Sequence, residues 1–144
     1  FAGCFPGSLN GGAVGVTVPK VALEWVGPAP DPGARVQLLD FWATWCKPCL
    51  EAMPQLDALS RRYGPRGLAV VGVTDEERAV IEPFLRGTRV SYTIAIDPHR
   101  TLHEALGVKA LPFTYLVSPA GEVLWRGQPD ELTDAVLERV LATR

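Results

Sequence analysis

The chain has 144 residues, of which 47% are hydrophobic and 21% are charged, a balance typical of a globular protein with one core. Its formal net charge is −2 and its Lys and Arg residues form no cluster, which argues against nucleic acid and anionic membranes as partners. No apolar stretch approaches the ~20 residues that a membrane-spanning helix needs.

The N-terminal residues 1–12 are rich in Gly, Pro and Ser and are predicted to form a flexible tail. The chain opens with Phe1 instead of Met, which is typical of a processed or truncated product. Cys4 has two interpretations. It is either a tail thiol without a role or an acylated cysteine, because Ala2-Gly3-Cys4 resembles the end of a bacterial lipobox.

The first half of the chain is predicted to form strands and then one long helix. Residues 13–26 alternate well enough for two short strands. Residues 27–33 contain three prolines and two glycines and are predicted to form a surface loop. The apolar run 36–42 predicts a buried strand, and a helix follows from about 47 to 63. The sequence Gly-Pro-Arg-Gly at 64–67 ends that helix.

The second half alternates strands with helices. Asp75 is predicted to cap a helix that runs to about Arg86. Glu76 and Glu77 would lie in its first turn, where the helix dipole favours carboxylates. Asp130 is predicted to cap the C-terminal helix, whose apolar stripe would pack on a sheet. The other predicted elements are a strand at 68–74, a strand at 92–96, a short helix at 99–106 and a hairpin of strands at 113–117 and 122–126.

This order of elements predicts an α/β fold. The crossovers between the first strands after residue 36 make those strands parallel. The closing hairpin makes the sheet mixed, and helices are expected on both faces of that sheet.

Cys46 and Cys49 lie three residues apart at a predicted helix start, where a disulfide can close within one turn. Such a pair between a strand and a helix of a βαβ pattern is the signature of a thioredoxin-like redox site. Cys46 would be the exposed nucleophile, because the helix N-terminus and the charge of Lys47 lower the pKa of its thiol. Cys49 would be more buried and would resolve the mixed disulfide. An inert structural bridge is the alternative.

Asp40 stands within the apolar strand 36–42. Burial would raise the pKa of its carboxyl and suit it to exchange a proton with Cys49, directly or through a water. The alternative is a partly exposed aspartate near the strand end.

Several motifs together resemble the TlpA/ResA-type thioredoxin-fold proteins, which are extracytoplasmic thiol-disulfide oxidoreductases. The resemblance covers about residues 36–144. Its motifs are FWATWCKPC at 41–49, Pro54, VVGVT at 70–74, IAID at 94–97, Gly107-Val108 before Leu111-Pro112-x-Thr114, and PAGEV at 119–123.

The resemblance implies a single thioredoxin-like domain over 13–144, with its core at 36–144, an N-terminal strand extension and a central α-β insert. It implies a reductant of protein disulfides with an upstream electron donor, no cofactor beyond the Cys46–Cys49 disulfide, and a monomer. The location would be outside the cytoplasm, as a membrane-anchored lipoprotein if Cys4 is acylated. The implied substrate-binding residues are Trp45, Lys47, Pro48, Leu111 and the cis-proline Pro112.

Two positions depart from the family pattern. Ala52 stands where the family often has Glu, and the neighbouring Glu51 points about 100° away around the helix. Asp40 stands where TlpA/ResA-type chains often have Asn, and it matches the buried aspartate of thioredoxins themselves. The buried acid of this site would therefore come from the strand.

Two other functions fit parts of the sequence. A peroxiredoxin-type thiol peroxidase typically has Thr or Ser three residues before its reactive cysteine, whereas Thr44 is only two before Cys46. A metal-binding module built on the three thiols of the chain would lack a fourth ligand. His99 and His103 are spaced by four residues and are predicted to lie on a solvated helix face, not to bind a metal.

Overall fold

The structure, a computed structural model, describes residues 14–143. The predicted tail 1–12 and Cys4 therefore lie outside the described residues. Among residues 14–143, no helix combines the length and the apolar composition that crossing a membrane requires. The strands are β1 (Glu24–Val26), β2 (Val36–Phe41), β3 (Leu68–Thr74), β4 (Thr93–Ile96), β5 (Phe113–Val117) and β6 (Val123–Gly127). The helices are α1 (Lys47–Tyr63), α2 (Arg78–Gly87), α3 (Thr101–Ala105) and α4 (Asp134–Ala142).

The helix α1 has the bounds that the sequence predicts. A proline in its first turn loses no helical hydrogen bond, because the N–H of that position is unpaired in any helix. The chain leaves the helix at Gly64 through one turn of 3-10 helix. Its buried residues recur every three or four positions, which aims one face at the sheet: Cys49, Met53, Leu56, Leu59 and Tyr63.

The six strands form one mixed sheet in the order β1-β4-β3-β2-β5-β6. Strands β2, β3 and β4 are parallel neighbours, whereas β1, β5 and β6 each pair antiparallel. The predicted mixed sheet is therefore confirmed. Strand β2 lies inside the sheet, between β3 and β5. The loop that follows β2 lies at the carboxyl edge of the parallel strands, and α1 begins there.

The two faces of the sheet are covered differently. On β2, Leu38 packs in the cluster under α1, α2 and α4, whereas Leu39 packs in the cluster on the opposite face. That second face is covered by α3, through Leu102, and by apolar side chains of the N-terminal segment 18–25. Helices lie on both faces, as predicted.

The N-terminal part of the described chain forms one strand, not the predicted two. The first predicted strand is reduced to an isolated bridge between Thr17 and Glu122. Pro19 follows within two residues, and a proline cannot donate to a strand ladder. The bridge therefore does not extend into a second strand.

Two predicted helix caps are wrong. The helix α2 begins at Arg78, three residues after Asp75, and the Asp75 carboxylate instead pairs with Arg100. Asp130 lies in a separate 3-10 turn before the last helix. The hydroxyl of Thr133 accepts the Val136 N–H at 3.3 Å and caps α4 in its place.

Candidate active site

Cys46 and Cys49 form a disulfide at the start of α1, with their Cα atoms 5.2 Å apart. Cys46 occupies the N-cap position, and its Sγ accepts the backbone N–H of Cys49 at 3.3 Å. A sulfur at this position faces the unpaired N–H groups and the positive end of the helix dipole. The geometry therefore favours a thiolate on Cys46 when the disulfide is reduced.

Cys49 is more buried than Cys46, as predicted, with exposed fractions of 0% and 4%. The expectation of an exposed Cys46 is wrong for this disulfide form, because the ring closed at the helix start keeps its sulfur among core side chains. Exposed surface at this point comes from Trp45, whose exposed fraction is 74%. Trp42, by contrast, is a core residue.

Asp40 is buried, with 2% exposure, and burial raises the pKa of its carboxyl well above its usual range. Its Oδ1 has no hydrogen-bond partner among residues 14–143. Alternation along β2 places Asp40 on the same face as Leu38 and Trp42, which share a buried cluster with Cys49. The predicted burial is confirmed, and proton transfer with Cys49 stays a prediction.

The space beside Asp40 depends on Gly72, its register partner on β3. A Cβ atom at Gly72 would lie 3.0 Å from Trp42 Nε1 and 3.2 Å from Tyr92 Cε1. Burial, with a smaller contribution from the charge of Asp40, raises the pKa of Tyr92. An indole, a phenol and a carboxyl group thus converge where β3 carries no side chain.

A groove of about 260 Å³ is lined by Pro48, which lies between the two cysteines in the sequence, and by Pro112. The Leu111–Pro112 bond is cis, as the resemblance implies. Lys47 is exposed at the start of α1, whereas Leu111 packs partly against the core and does not line the groove. The other residues that line the groove are Glu51, Ala52, Gln55, Gln128, Pro129 and Asp130.

A larger cleft of about 690 Å³ lies between α2 and β4 and is lined by Tyr92. Neither cysteine lines it. The cysteines do not line the smaller groove either, but we place the candidate site there because its lining includes Pro48, between the two cysteines, and the cis-proline Pro112.

Glu76 belongs to the site although its predicted place was the first turn of a helix. It lies between β3 and α2, and its Oε1 and Oε2 accept the Thr44 N–H at 2.8 Å and the Thr44 hydroxyl at 2.6 Å. Its Oε1 also accepts the Thr74 hydroxyl at 2.9 Å. The signal that could have found it is topological, because the carboxyl ends of neighbouring parallel strands meet at one edge.

His103 is buried, so the predicted solvated face is wrong for this residue. Its Nδ1 lies 2.7 Å from Oδ2 of the buried Asp97, and its ring packs edge-on against Phe41. His99, by contrast, is exposed. Among residues 14–143, no group of three or more His, Cys, Asp or Glu side chains is placed to hold a metal ion.

The sequence is similar to known redox proteins. The model of the AhpC/TSA family matches residues 30–126. The thiol-disulfide oxidoreductase ResA of Bacillus subtilis is 30% identical over 87 residues, which are 60% of this chain and 49% of that protein. ResA of Halalkalibacterium halodurans is 27% identical over 106 residues, which are 71% of this chain and 60% of that protein. The chain thus spans about half the length of the B. subtilis relative.

Solved structures share the fold. The structure of a candidate thiol:disulfide interchange protein DsbE from Chlorobium tepidum superposes with a TM-score of 0.77 at 28% identity, covering 90% of this chain and 96% of that one. The thioredoxin domain of the thiol-disulfide oxidoreductase BVU-2223 from Bacteroides vulgatus gives 0.76 at 18% identity, covering 89% of this chain and 98% of that one. The predicted thioredoxin fold and the resemblance to ResA-type proteins are both confirmed.

Proposed function

The chain belongs to the AhpC/TSA family, and within that family we propose that it is a protein thiol-disulfide oxidoreductase acting through Cys46 and Cys49. One observation carries the proposal: the disulfide closes the first turn of α1 with the Cys46 sulfur at the N-cap. A purely structural disulfide gains nothing from a sulfur at the N-cap position. A nucleophile does, because the helix start stabilises its thiolate.

The proposed reaction begins with the reduced dithiol. The Cys46 thiolate attacks one sulfur of a substrate disulfide, forms a mixed disulfide and expels the other substrate sulfur as a thiolate. Cys49 then loses its proton to Asp40, attacks the Cys46 sulfur and releases the second substrate thiol. Two electrons pass to the substrate, and the Cys46–Cys49 disulfide remains until an upstream donor reduces it. No cofactor beyond this disulfide is needed.

The smaller groove supports the choice of a protein substrate. Pro48 and Pro112 lie in it, and Trp45 offers an exposed apolar surface next to Cys46. An extended segment that carries the substrate cysteine would lie along this groove, as a strand adds to an open edge. Lys47 would face the segment from the helix start.

We place the protein outside the cytoplasm, as a monomer, with the acylated Cys4 as its anchor. Similarity to ResA supports the location, and the Ala2-Gly3-Cys4 sequence supports the anchor. The full-length precursor expressed in bacteria should take up labelled fatty acid and sediment with membranes. Cys4→Ser should abolish both and keep the reductase activity, whereas an unlabelled wild type would leave Cys4 as a tail thiol.

The roles of the two cysteines are tested by insulin reduction and by trapping. Cys46→Ser should reduce insulin no faster than buffer, because the attacking sulfur is gone. Cys49→Ser should accumulate mixed disulfides with substrate proteins, because nothing resolves them. Cys4→Ser is the matched thiol control. Activity in Cys46→Ser together with no trapping by Cys49→Ser would overturn the assignment.

A thiol peroxidase is the second candidate, because the family model that matches carries the AhpC/TSA description. The contacts of Thr44 weigh against it. A hydroxyl has one proton to donate, and that of Thr44 is donated to Glu76 at 2.6 Å, so it is not free for a peroxide. Consumption of hydrogen peroxide above the rate of Cys46→Ser would favour the peroxidase.

The direction of electron flow is tested by the reduction potential of the Cys46–Cys49 pair. We expect a value close to that of thioredoxin, about −270 mV, as befits a reductant. A value close to about −120 mV would make the protein an oxidant instead.

A further inference from the structure

Few backbone hydrogen bonds hold the loop that connects β2 to the disulfide, although Trp42 and Ala43 at its start pack in the core. The Trp42 N–H donates to the Val73 carbonyl at 3.0 Å, and the Cys46 N–H donates to the Ala43 carbonyl at 3.2 Å. The second of these is internal to the loop and does not tie it to the sheet. Thr44, in the middle, is tied to the end of β3 by the carboxylate of Glu76.

The Glu76 contact is well suited to fix a backbone. One carboxylate accepts both the N–H and the hydroxyl of Thr44, and it also accepts the hydroxyl of Thr74, which is buried. Hydrogen bonds to an ionised carboxylate are roughly twice as strong as neutral ones. Because Thr44 is held at both its N–H and its hydroxyl, its backbone cannot rotate without breaking both hydrogen bonds.

We propose that Glu76 is the positioning residue for the Cys46 nucleophile, and the proposal rests on the function proposed above. By fixing Thr44, it fixes the direction in which the chain enters α1. That direction keeps the Cys46 sulfur over the Cys49 N–H and keeps Trp45 turned outward beside it. Glu76 acts through the loop and touches neither the disulfide nor the substrate in this scheme.

Two substitutions at Glu76 separate the effect of its contacts from the effect of its charge. In Glu76→Gln, the amide oxygen can accept the Thr44 N–H and the Thr74 hydroxyl. The amide nitrogen can donate to the Thr44 hydroxyl oxygen, because a hydroxyl also accepts. Glutamine therefore keeps all three contacts and removes the charge, whereas Glu76→Ala removes both.

The test measures Cys46 directly in the reduced protein. The rate of attack on a chromogenic aromatic disulfide, 5,5′-dithiobis(2-nitrobenzoate), should fall about tenfold in Glu76→Ala and stay within about twofold of wild type in Glu76→Gln, since small misplacements of a reacting atom have large effects on rate. The thiolate absorbance of Cys46 should titrate at higher pH in Glu76→Ala than in Glu76→Gln, because only the alanine variant loosens the N-cap. Thr44→Val, which removes one contact and keeps the carboxylate, should lie between the two. Glu77→Ala, one residue further along and exposed, is the control.

Equally reduced rates in Glu76→Gln and Glu76→Ala would show that charge matters and position does not. A wild-type rate and titration in Glu76→Ala would show that Glu76 has no role at this site. Either result overturns the proposal, and Thr44→Val provides the test if Glu76→Ala does not fold. A wild type that attacks the aromatic disulfide but does not reduce insulin would instead contradict the proposed function and leave the inference on Glu76 intact.

Discussion

Two aspartates are buried to the same degree on the two faces of the sheet, yet their surroundings differ. Asp97 accepts the N–H groups of Leu102 and His103 at 3.0 and 2.8 Å and contacts the His103 ring. Asp40 has an oxygen without a partner among the described residues, and burial raises the pKa of its carboxyl. The Asp97 side chain is satisfied by its hydrogen bonds, whereas Asp40 is not.

This difference teaches that burial does not by itself mark a functional acid. Asp97 stabilises the protein, because its carboxylate accepts two N–H groups of the short helix α3 and holds His103 edge-on against Phe41. Ionising Asp40 costs stability, since its buried Oδ1 has no donor to stabilise the charge. A cost of this kind in the cluster that holds Cys49 supports the proposed role of Asp40 in proton transfer.

The largest effect should follow from removing the satisfied carboxylate. Asp97→Ala leaves two buried N–H groups and a buried imidazole without their acceptor, and it should lower the free energy of unfolding by about 3–5 kcal/mol. Urea denaturation measures it. Asp75→Ala, which removes an exposed partner of Arg100, should cost less than about 1 kcal/mol. Equal losses in the two variants would mean that Asp97 does not stabilise the fold in this way.

Replacing Asp40 should change the rate of thiol-disulfide exchange. Asp40→Asn keeps the shape and removes the proton acceptor, so resolution of the mixed disulfide by Cys49 should slow by about 10²-fold. Attack by Cys46, whose thiolate depends on the helix start, should change little. Stopped-flow kinetics separate the two steps. Asp97→Asn is the control, and its folded fraction should resolve the mixed disulfide at the wild-type rate. An unchanged rate of this step in Asp40→Asn would show that Asp40 has only a structural role.

Crowding around Asp40 can be tested at Gly72. The added methyl of Gly72→Ala would lie 3.0 Å from Trp42 Nε1 and 3.1 Å from Ile94 Cδ1, which overpacks the space. We expect a loss of about 1–3 kcal/mol in the free energy of unfolding. Gly87→Ala, where a Cβ meets nothing within 4 Å, is the matched control and should not lose stability. A neutral Gly72→Ala would indicate spare room beside the carboxyl.

The smallest effect concerns pH. Because the pKa of Asp40 is raised in the folded state, the folded protein holds a proton that the unfolded chain loses above about pH 4. Stability should therefore fall as pH rises from there toward the raised pKa, by at most about 1.4 kcal/mol per pH unit. Asp40→Asn should lack this component of the slope when both proteins are denatured in urea across the range. Parallel pH profiles would contradict the raised pKa.

The sequence predicted the features that depend on residues close together in the chain. The bounds of α1 follow from its apolar spacing and from the Gly-Pro pair that ends it, and the burial of Asp40 follows from the apolar strand around it. The position of Glu76 does not, because its partner Thr44 is 32 residues away. His103 was misplaced for a similar reason, since its ring packs against Phe41 on β2, which is distant in the sequence.

The segment that precedes β2 touches both margins of the sheet. At one margin, Gly15 and Val16 bond to the backbone of Val123 on β6. At the other margin, β1 pairs with β4, and the apolar side chains between them cross the second face. A sheet with free margins can recruit strands from other molecules and aggregate. One stretch of chain thus forms both margins of the sheet, with a three-residue strand at one and an isolated bridge at the other. Edges this short offer little backbone for pairing with a second molecule.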